Sequence, residues 1–545
     1  MAATEGSDVQ PTRIIWLFSA LLSIAACTDR PSVWDQGVGQ PATYGLDSAV
    51  ALVDDVTHRA TLLTAGADQT LSRQTLAVGH NVVNVQMSAD KKTLFVLSSG
   101  DSPRRSSQDE LPALTIIRHD AAGSPFVSQR YTLATPLSSL AIDPQGQWVA
   151  AYAGDATRVT FVQNPNEIVF FDLKALSPQD QPIDRTLRSF GGTPQRLTFS
   201  PELQLPSGPR RLLVVETDLD VSILDLDHLH DAAPRPEITV RLTNGDTVQS
   251  LDPAGVVIDD GDPASNADAR IGVRLSNDTN VVTLTLGAIP PDASPPPPND
   301  FVPVINLTDV GGIASDIAFV RTDGGIRLAA LVPNAGKATL VDPETSITTD
   351  VALPASYQHL SLVTGEVGTP GNSDVALLYG SSNGTGGVAF WSLGQTSGTP
   401  YRSVETVSIS GSVSNVLSVP APNHNLKVLE SNGNEFYVLN LLDKTASPLS
   451  TLGAASLVLS DDGQRVWAFA PGTGNLASVS LDTIHPVPVV LSRPITNVYD
   501  VARADGGRAL LAVHDSGAFG VTVVDGLNPD TATSRVYSGL LLEGL

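Results

Sequence analysis

The fold of this chain is decided by one stretch, LGAASLVLSDDGQRVWAFAPGTGNLASVSLD (Leu452–Asp482). It holds three short runs of apolar and β-branched residues, Ala455–Leu459, Arg465–Phe469 and Leu476–Leu481, each the length of a strand. Between the runs lie Ser-Asp-Asp-Gly and Pro-Gly-Thr-Gly-Asn, which are turn sequences because Asp tolerates turn geometry and Gly reaches positive φ. The stretch therefore predicts three strands joined by two tight turns.

Such a unit cannot bury both its faces alone, so it needs copies of itself as neighbours. The pattern recurs from about Tyr44 onwards, for example in Leu140–Asp155, Ser315–Asp342 and Val498–Leu527. Nine first-strand starts follow one another at intervals of roughly 40 to 65 residues, after a partial N-terminal copy. A period near 40–50 residues with several short strands per unit is typical of propeller blades.

The repeat resembles that of the YVTN/WD40-like β-propeller superfamily over most of residues 45–530. The resemblance rests on turns such as Ser460–Gly463 and Asp143–Gly146 and on strand ends such as Asp172-Leu173 and Asp225-Leu226. The Gly-His and Trp-Asp marks of strict WD40 blades are not repeated. This resemblance implies architecture and says little about function.

We therefore predict an all-β fold, a β-propeller of about eight four-stranded blades (range 7–9), because closed rings usually have four to eight blades. The propeller is expected to span residues 45–545. The Pro-rich segment Gly287–Val304, with four consecutive prolines, favours an extended conformation. It is either an insertion in one ring, which we favour, or a linker between two smaller propellers.

Charge and composition exclude one class of partner. The chain has 32 basic and 57 acidic residues, a formal net charge of −25, and 41% apolar residues, which suffice for a core. A body this acidic repels phosphate backbones, so we expect no nucleic-acid binding. The single cysteine, Cys27, excludes an intramolecular disulfide and leaves stability to the repeat core.

The N-terminal segment predicts export. Ile14–Ala26 is an uninterrupted run of apolar and small residues, which spans only about 20 Å as a helix. That is too short for a stable membrane span, so residues 1–26 are predicted to be a signal peptide. Residues 27–44 then form a tether between the membrane and the propeller.

The junction Ile24-Ala25-Ala26-Cys27 resembles the lipobox of bacterial lipoproteins. The resemblance implies that Cys27 receives a diacylglyceryl group and becomes the mature N-terminus, anchoring the protein to a membrane. Thr28 is not the Asp that enterobacteria use for inner-membrane retention, which favours the outer membrane. The n-region departs from the pattern, since it is acidic and Arg13 is its only basic residue. An ordinary cleaved signal with an incidental free cysteine is the alternative.

No catalytic motif stands out. The sequence lacks a Gly-x-Ser-x-Gly elbow and a phosphate-binding loop. His228 and His230 alternate on one segment and could share a metal ion, but exposed polar histidines are the simpler interpretation. The segment Asp259–Asp268 offers hard oxygen donors for a structural calcium ion; a solvated acidic insertion is the alternative. These donors are Asp260, Asp262, Asn266 and Asp268.

The sequence thus predicts a lipid-anchored propeller at the periplasmic or outer face of a bacterial envelope, with no cofactor. Its loops are expected to bind or assemble a protein partner. The alternative function is that of a propeller enzyme, lactonase-like or dehydrogenase-like, using the central channel. That alternative requires carboxylates or histidines from several blades to converge there.

Overall fold

The computed structural model describes fourteen ranges of the chain, 40–101, 105–154, 162–174, 182–188, 192–242, 252–261, 268–293, 299–363, 374–380, 387–394, 403–432, 434–514, 519–529 and 534–540. Within them the chain forms ten four-stranded antiparallel sheets, each built from four consecutive strands. The predicted signal peptide, residues 1–26, and Cys27 lie outside these residues.

The strands of the first five sheets follow in chain order. Sheet 1 contains β1 (Ala42–Gly45), β2 (Val50–Asp54), β3 (Arg59–Ala65) and β4 (Leu71–Ala77). Sheet 2 contains β5 (Val82–Met87), β6 (Thr93–Ser98), β7 (Ala113–Arg118) and β8 (Val127–Thr132). Sheet 3 contains β9 (Ser139–Ile142), β10 (Trp148–Tyr152), β11 (Glu167–Asp172) and β12 (Ile183–Thr186). Sheet 4 contains β13 (Pro194–Leu205), β14 (Gly208–Thr217), β15 (Asp220–Asp225) and β16 (Ile238–Arg241). Sheet 5 contains β17 (Pro253–Asp259), β18 (Arg270–Leu275), β19 (Asn280–Ala288) and β20 (Phe301–Asp309).

The last five sheets repeat the arrangement. Sheet 6 contains β21 (Asp316–Thr322), β22 (Gly325–Val332), β23 (Lys337–Val341) and β24 (Thr348–Ala352). Sheet 7 contains β25 (His359–Leu362), β26 (Val375–Tyr379), β27 (Val388–Ser392) and β28 (Val404–Val407). Sheet 8 contains β29 (Val413–Ser418), β30 (Leu426–Ser431), β31 (Glu435–Asn440) and β32 (Thr445–Pro448). Sheet 9 contains β33 (Ser456–Leu459), β34 (Arg465–Phe469), β35 (Asn475–Ser480) and β36 (Pro486–Val490). Sheet 10 contains β37 (Asn497–Ala502), β38 (Arg508–His514), β39 (Gly520–Asp525) and β40 (Arg535–Ser538). The helices among the described residues are two 3₁₀ turns, Ala67–Gln69 and Pro333–Ala335.

Sheet 9 shows why each unit folds as it does. The Ser460 hydroxyl closes the first turn by accepting the Arg465 amide at 3.0 Å, while Gly463 takes φ +65°. On β35 the side chains alternate between two neighbours: Ala477 and Val479 pack towards sheet 8, and Leu476 packs towards sheet 10. A strand buried on both faces requires a sheet on each side, which a ring of sheets provides.

The ten sheets close into one ring. A buried apolar cluster fills each junction between successive sheets, and a tenth cluster joins sheet 10 to sheet 1. In that last cluster Leu52 and Leu63 meet Leu511 and Val523. First strands make most of the contacts between neighbouring sheets, so they surround the axis and the fourth strands form the rim.

The all-β propeller class is confirmed, and the predicted blade number of about eight falls short of the ten sheets seen in the described residues. The nine starts and the partial N-terminal copy match ten; lowering that count to the usual size of closed propellers was the error. Ala42–Tyr44 pair with β2 within sheet 1. Of the Pro-rich segment, Gly287 and Ala288 belong to β19 and Phe301–Val304 belong to β20, and these two strands pair directly in sheet 5. Residues 294–298 lie outside the described residues.

None of the helices in the described part of the chain is long and apolar enough to cross a membrane.

Candidate functional site

The first strands of the ten sheets form the inner wall of the ring, and hydrogen bonds from side chains connect neighbouring sheets along it. An innermost strand has one edge without a strand partner, so its backbone groups need other partners. Here the side chains of one sheet serve the backbone of the next. Such bonds run from Asn84 Nδ2 to Ser138 O at 3.1 Å, from Gln86 Nε2 to Leu140 O at 3.1 Å, and from Ser315 Oγ to Gln358 O at 2.8 Å. The wall is therefore a preorganised polar surface.

One carboxyl next to this wall, on the second strand β14 of sheet 4, is in an unusual environment. Glu216 pairs in register with Arg196 of the inner strand β13, and its Oε2 lies 3.6 Å from Arg196 Nη1. Only 2% of Glu216 is exposed, and Oε1 has no hydrogen-bond partner among the described residues. Burial raises the pKa of Glu216 above its usual range, against the lowering effects of Arg196 and Arg274. The carboxyl of Glu216 therefore binds a proton more tightly than an exposed glutamate does.

At the opposite ends of the inner strands, aspartates are paired with arginines. Asp143 accepts two bonds from Arg211 of the next sheet, at 2.6 and 3.0 Å, and Asp259 accepts one from Arg270 at 3.1 Å. The Arg508 guanidinium donates to Asp500 at 2.8 Å. These pairs satisfy their charges internally and fix the turns in place.

A cavity of about 250 Å³ opens beside these turns, between sheets 2 and 3. Its walls are the turn after β5, the end of β7, the turn after β9 and the end of β11. The lining residues are Ser88, Ala89, Asp90, Thr93, Ile116, Arg118, Asp143, Pro144, Gln145, Gly146 and Leu173. The cavity is small, polar on one side and apolar on the other, so it suits a small ligand.

The predicted histidine pair does not converge. His228 Nδ1 lies 2.7 Å from Asp231, whereas His230 Nε2 lies 3.0 Å from Asp172 of sheet 3 and its ring stacks near Trp148. The two imidazoles therefore contact different carboxylates. No group of three or more metal-ligating residues is found in the described part of the chain.

The calcium hypothesis concerns a segment that the structure describes only at its ends. Asp262 and Asn266 lie outside the described residues. Asp260 is exposed and accepts the Gln204 amide through its backbone carbonyl at 2.8 Å, and Asp268 lies directly before sheet 5 resumes at β18. A calcium site here stays a prediction, as does lipidation of Cys27.

A serine, a histidine and an aspartate do meet elsewhere. His119 Nε2 lies 2.7 Å from Asp47 Oδ1 and 3.2 Å from Ser48 Oγ, and Nδ1 faces the Ala121 carbonyl at 3.0 Å. A catalytic triad requires the serine and the carboxylate on different ring nitrogens. Because both contact Nε2, this group ties the turns of sheets 1 and 2 together instead.

Sequence inspection missed Arg118 and Glu216. A signal for Arg118 is present in Ala113–Arg118, because Leu114, Ile116 and Arg118 alternate on one face of the strand. A charged residue that continues an apolar stripe marks the place where a buried interface meets a polar space. Glu216 carries no such signal, since its burial depends on how sheets 3 to 5 pack around it.

The fold defines the chain as a β-propeller, and comparison adds no family. No protein-family model matches the chain, and no curated protein sequence matches it. Among solved structures it is similar to dihydro-heme d1 dehydrogenase NirN in complex with DHE, at TM-score 0.38 and 11% identity over 83% of this chain and 75% of that one. BBS1N in complex with ARL6DN gives TM-score 0.32 and 13% identity over 65% and 90%. Apo AztD from Citrobacter koseri gives TM-score 0.32 and 11% identity over 81% and 94%.

Proposed function

We propose that this chain is an exported, lipid-anchored propeller of the YVTN/WD40-like kind that binds a protein partner in a bacterial envelope, with the outer membrane favoured. Cys27 carries the anchor and the propeller carries the binding surface. The lipobox resemblance supports the first half of the proposal. The second half rests on the exposed apolar edge of β20.

Strand β20 is the longest of the fourth strands on the rim. Val304, Ile305 and Leu307 on it are 54%, 42% and 38% exposed. Exposed apolar residues on an open sheet edge favour addition of a strand from another protein, which pairs with the free backbone groups. An extended, largely uncharged partner segment therefore fits this edge.

The other rim strands carry residues that hinder pairing with a strand from another protein. Charged residues lie within β4, β8, β12, β16, β24, β28 and β40, and prolines lie within β32 and β36. Charges and prolines are the usual means of blocking edge pairing. Strand β20 contains Pro303 and Asp309, but the five residues between them, Val304–Thr308, form the longest run on the rim strands without a charge or a proline. In a chain of net charge −25, this uncharged edge is where a partner strand approaches with least repulsion.

The binding half of the proposal is tested with the full-length exported protein. Crosslinking in intact cells followed by affinity purification identifies bound proteins for wild type and for Val304→Lys. The matched control is Val127→Lys, because Val127 on β8 is also an exposed rim valine, at 57%. We expect one stoichiometric partner with wild type and the control, and its loss with Val304→Lys. A partner that all three proteins retain would show that β20 is not the binding surface.

The anchoring half has its own test. Cys27→Ala should move the protein from the membrane fraction to the soluble exported fraction, because a lipid chain would provide the anchor. Mass spectrometry of the wild-type N-terminus should show a diacylglyceryl group on Cys27. Tight membrane association of Cys27→Ala would contradict the anchor.

Glu216 favours a second candidate, the propeller enzyme. A buried carboxyl with a raised pKa beside an arginine is a common feature of acid catalysts. Hydrolysis of a panel of lactones by wild type and Glu216→Gln tests this candidate. Activity that Glu216→Gln abolishes would support it, and inactivity of the wild type across the panel would argue against it.

A further inference from the structure

Arg118 lines the cavity between sheets 2 and 3, and its charge is not paired within the described part of the chain. Alternation along β7 directs Ile117 towards sheet 1, whereas Leu114 and Ile116 pack into the junction with sheet 3. Arg118 shares the face of Ile116 and lines the cavity. Within the described ranges, no side-chain hydrogen bond or ion pair involves its guanidinium.

The carboxylate of Asp143, which lines the same cavity, does not neutralise Arg118. Arg211 holds both oxygens of Asp143, at 2.6 and 3.0 Å, and the Gln145 and Gln147 amides donate to it as well. A half-buried guanidinium without a counter-ion is costly. Asp90 also lines the cavity, but no ion pair within 4.0 Å joins it to Arg118 among the described residues. The cavity therefore leaves room beside Arg118 for an anionic group from a ligand.

The opposite charge is also present in the cavity. Asp90 accepts the Ser88 hydroxyl at 2.5 Å and the Lys92 amide at 3.1 Å, both on Oδ1, and no bond to Oδ2 is made within the described ranges. Burial acts to raise the pKa of Asp90, but the bonds from Ser88 and Lys92 outweigh it and lower the pKa. Asp90 is therefore an exposed carboxylate whose Oδ2 makes no hydrogen bond to the described residues.

Apolar atoms complete the lining. Ile116 is 1% exposed and belongs to the buried cluster between sheets 2 and 3, against which Leu173 also packs. The cavity thus offers a cation, an anion and an apolar surface within about 250 Å³. A free phosphate or a dicarboxylate would meet Arg118 but would be repelled by Asp90.

We propose that this cavity binds a small zwitterion of amino-acid size. The ligand carboxylate pairs with Arg118, its ammonium group pairs with Asp90 Oδ2, and its aliphatic part contacts Ile116 and Leu173. The site is independent of the rim strand β20 and of the channel wall around Glu216.

Three related probes separate the three contacts. L-Leucine carries all three groups, 4-methylpentanoate lacks the ammonium group, and 3-methylbutylamine lacks the carboxylate. Isothermal titration calorimetry of the full-length protein should show the tightest binding for leucine. The acid should bind about 10-fold more weakly and the amine more weakly still, because each charged hydrogen bond contributes 1.5–3 kcal/mol. Binding of none of the three probes, or of all three equally, would overturn the proposal.

Two variants assign the contacts. Arg118→Gln should weaken leucine binding by about 10- to 100-fold without lowering the thermal unfolding midpoint, because the guanidinium makes no bond to the described residues that the substitution would remove. Asp90→Asn should remove the preference for leucine over 4-methylpentanoate. Arg321→Gln, at an exposed arginine on β21, is the matched control and should bind leucine as wild type does. Unchanged binding by Arg118→Gln would overturn the assignment of the carboxylate.

Discussion

Asp143 fixes a turn and an interface with one side chain. It is 2% exposed; it caps the turn after β9 through the Gln145 and Gln147 amides, and it pairs with Arg211 across the junction between sheets 3 and 4. Burial acts to raise the pKa of Asp143, but Arg211 and the amides outweigh it and hold the pKa below its usual value of 3.8. Asp143 therefore stabilises the folded state above that value, and the stabilisation is lost as pH falls through the lowered pKa.

We expect Asp143→Asn to lower the free energy of unfolding at pH 7 by about 3 kcal/mol, because it leaves the Arg211 charge buried without its partner. Chemical denaturation measures the change. Glu405→Gln is the control, since the ion pair of Glu405 with Lys444 lies on the surface and should contribute less than about 1 kcal/mol. Equal effects of the two variants would show that burial does not strengthen the Asp143 pair.

His514 makes stability depend on pH near neutrality. The ring is fully buried, with Nδ1 donating to the Pro494 carbonyl at 2.6 Å and Nε2 accepting from the Thr522 hydroxyl at 2.6 Å. This arrangement suits the neutral ring, and burial lowers the pKa of His514 from 6.5. The unfolded chain then binds a proton that the folded chain resists, so stability falls as pH drops below 6.5 towards the lowered pKa.

His514→Gln should therefore flatten the decline of the thermal unfolding midpoint between pH 7.5 and pH 5, while lowering the midpoint itself at pH 7.5. The control is His485→Gln, because His485 is exposed and its replacement should leave the slope unchanged. A slope in His514→Gln as steep as that of wild type would assign the pH dependence to other groups.

Turns between strands differ in how tightly neighbouring sheets enclose them. Gly463 and Gly472 both adopt positive φ, +65° and +81°, in successive turns of sheet 9. A Cβ on Gly472 would meet nothing within 4 Å, whereas a Cβ on Gly463 would collide with the Pro420 carbonyl of sheet 8. The first turn therefore packs on the preceding sheet 8, and the second faces open space.

This contrast predicts two different costs. Gly472→Ala should destabilise the protein by about 1 kcal/mol, the penalty for a side chain in the left-handed region. Gly463→Ala should cost at least about 1 kcal/mol more, since the neighbouring backbone must also move. Denaturation in urea compares the two, and equal losses would mean that the junction of sheets 8 and 9 adapts without strain.

The sequence was most informative about single strands and turns. The strand Arg465–Phe469 was predicted with its observed bounds, because turn residues enclose it on both sides. Blade number was underestimated because the count of repeats was lowered to the usual size of a closed propeller. The sequence of a single repeat predicts its strands and turns, but it does not predict how many repeats close a ring. The cavity around Arg118 could not be predicted, because it depends on how the turn after β9 lies against the end of β7.

The ring as a whole closes without exchange of strands. Sheet 1 contains only N-terminal strands and sheet 10 only C-terminal ones, so the junction between them has no connecting loop. Side-chain contacts hold it instead, together with one backbone hydrogen bond from the Ala502 amide to the Asp47 carbonyl at 2.7 Å. The Tyr499 hydroxyl lies 2.5 Å from Thr43 Oγ1 and donates to Thr43 O at 3.0 Å, and the Tyr537 hydroxyl donates to the Gln69 carbonyl at 3.0 Å. Elsewhere the chain itself keeps neighbouring sheets adjacent when packing weakens.

Tyr499→Ala should therefore open the ring locally at this junction, and Tyr357→Ala is the matched control. Tyr357 is fully buried between sheets 6 and 7, which consecutive chain connects. We expect hydrogen exchange in β1 and β39 to rise at least 10-fold in Tyr499→Ala, while β22 and β26 remain protected. The reason is that no loop connects sheet 10 to sheet 1, so the chain does not restrain the opening of this junction. Tyr357→Ala should lower global stability by about 3 kcal/mol or more and raise exchange around the whole ring together. Uniform exchange in Tyr499→Ala would mean that the junction of sheets 10 and 1 opens only when every other junction does.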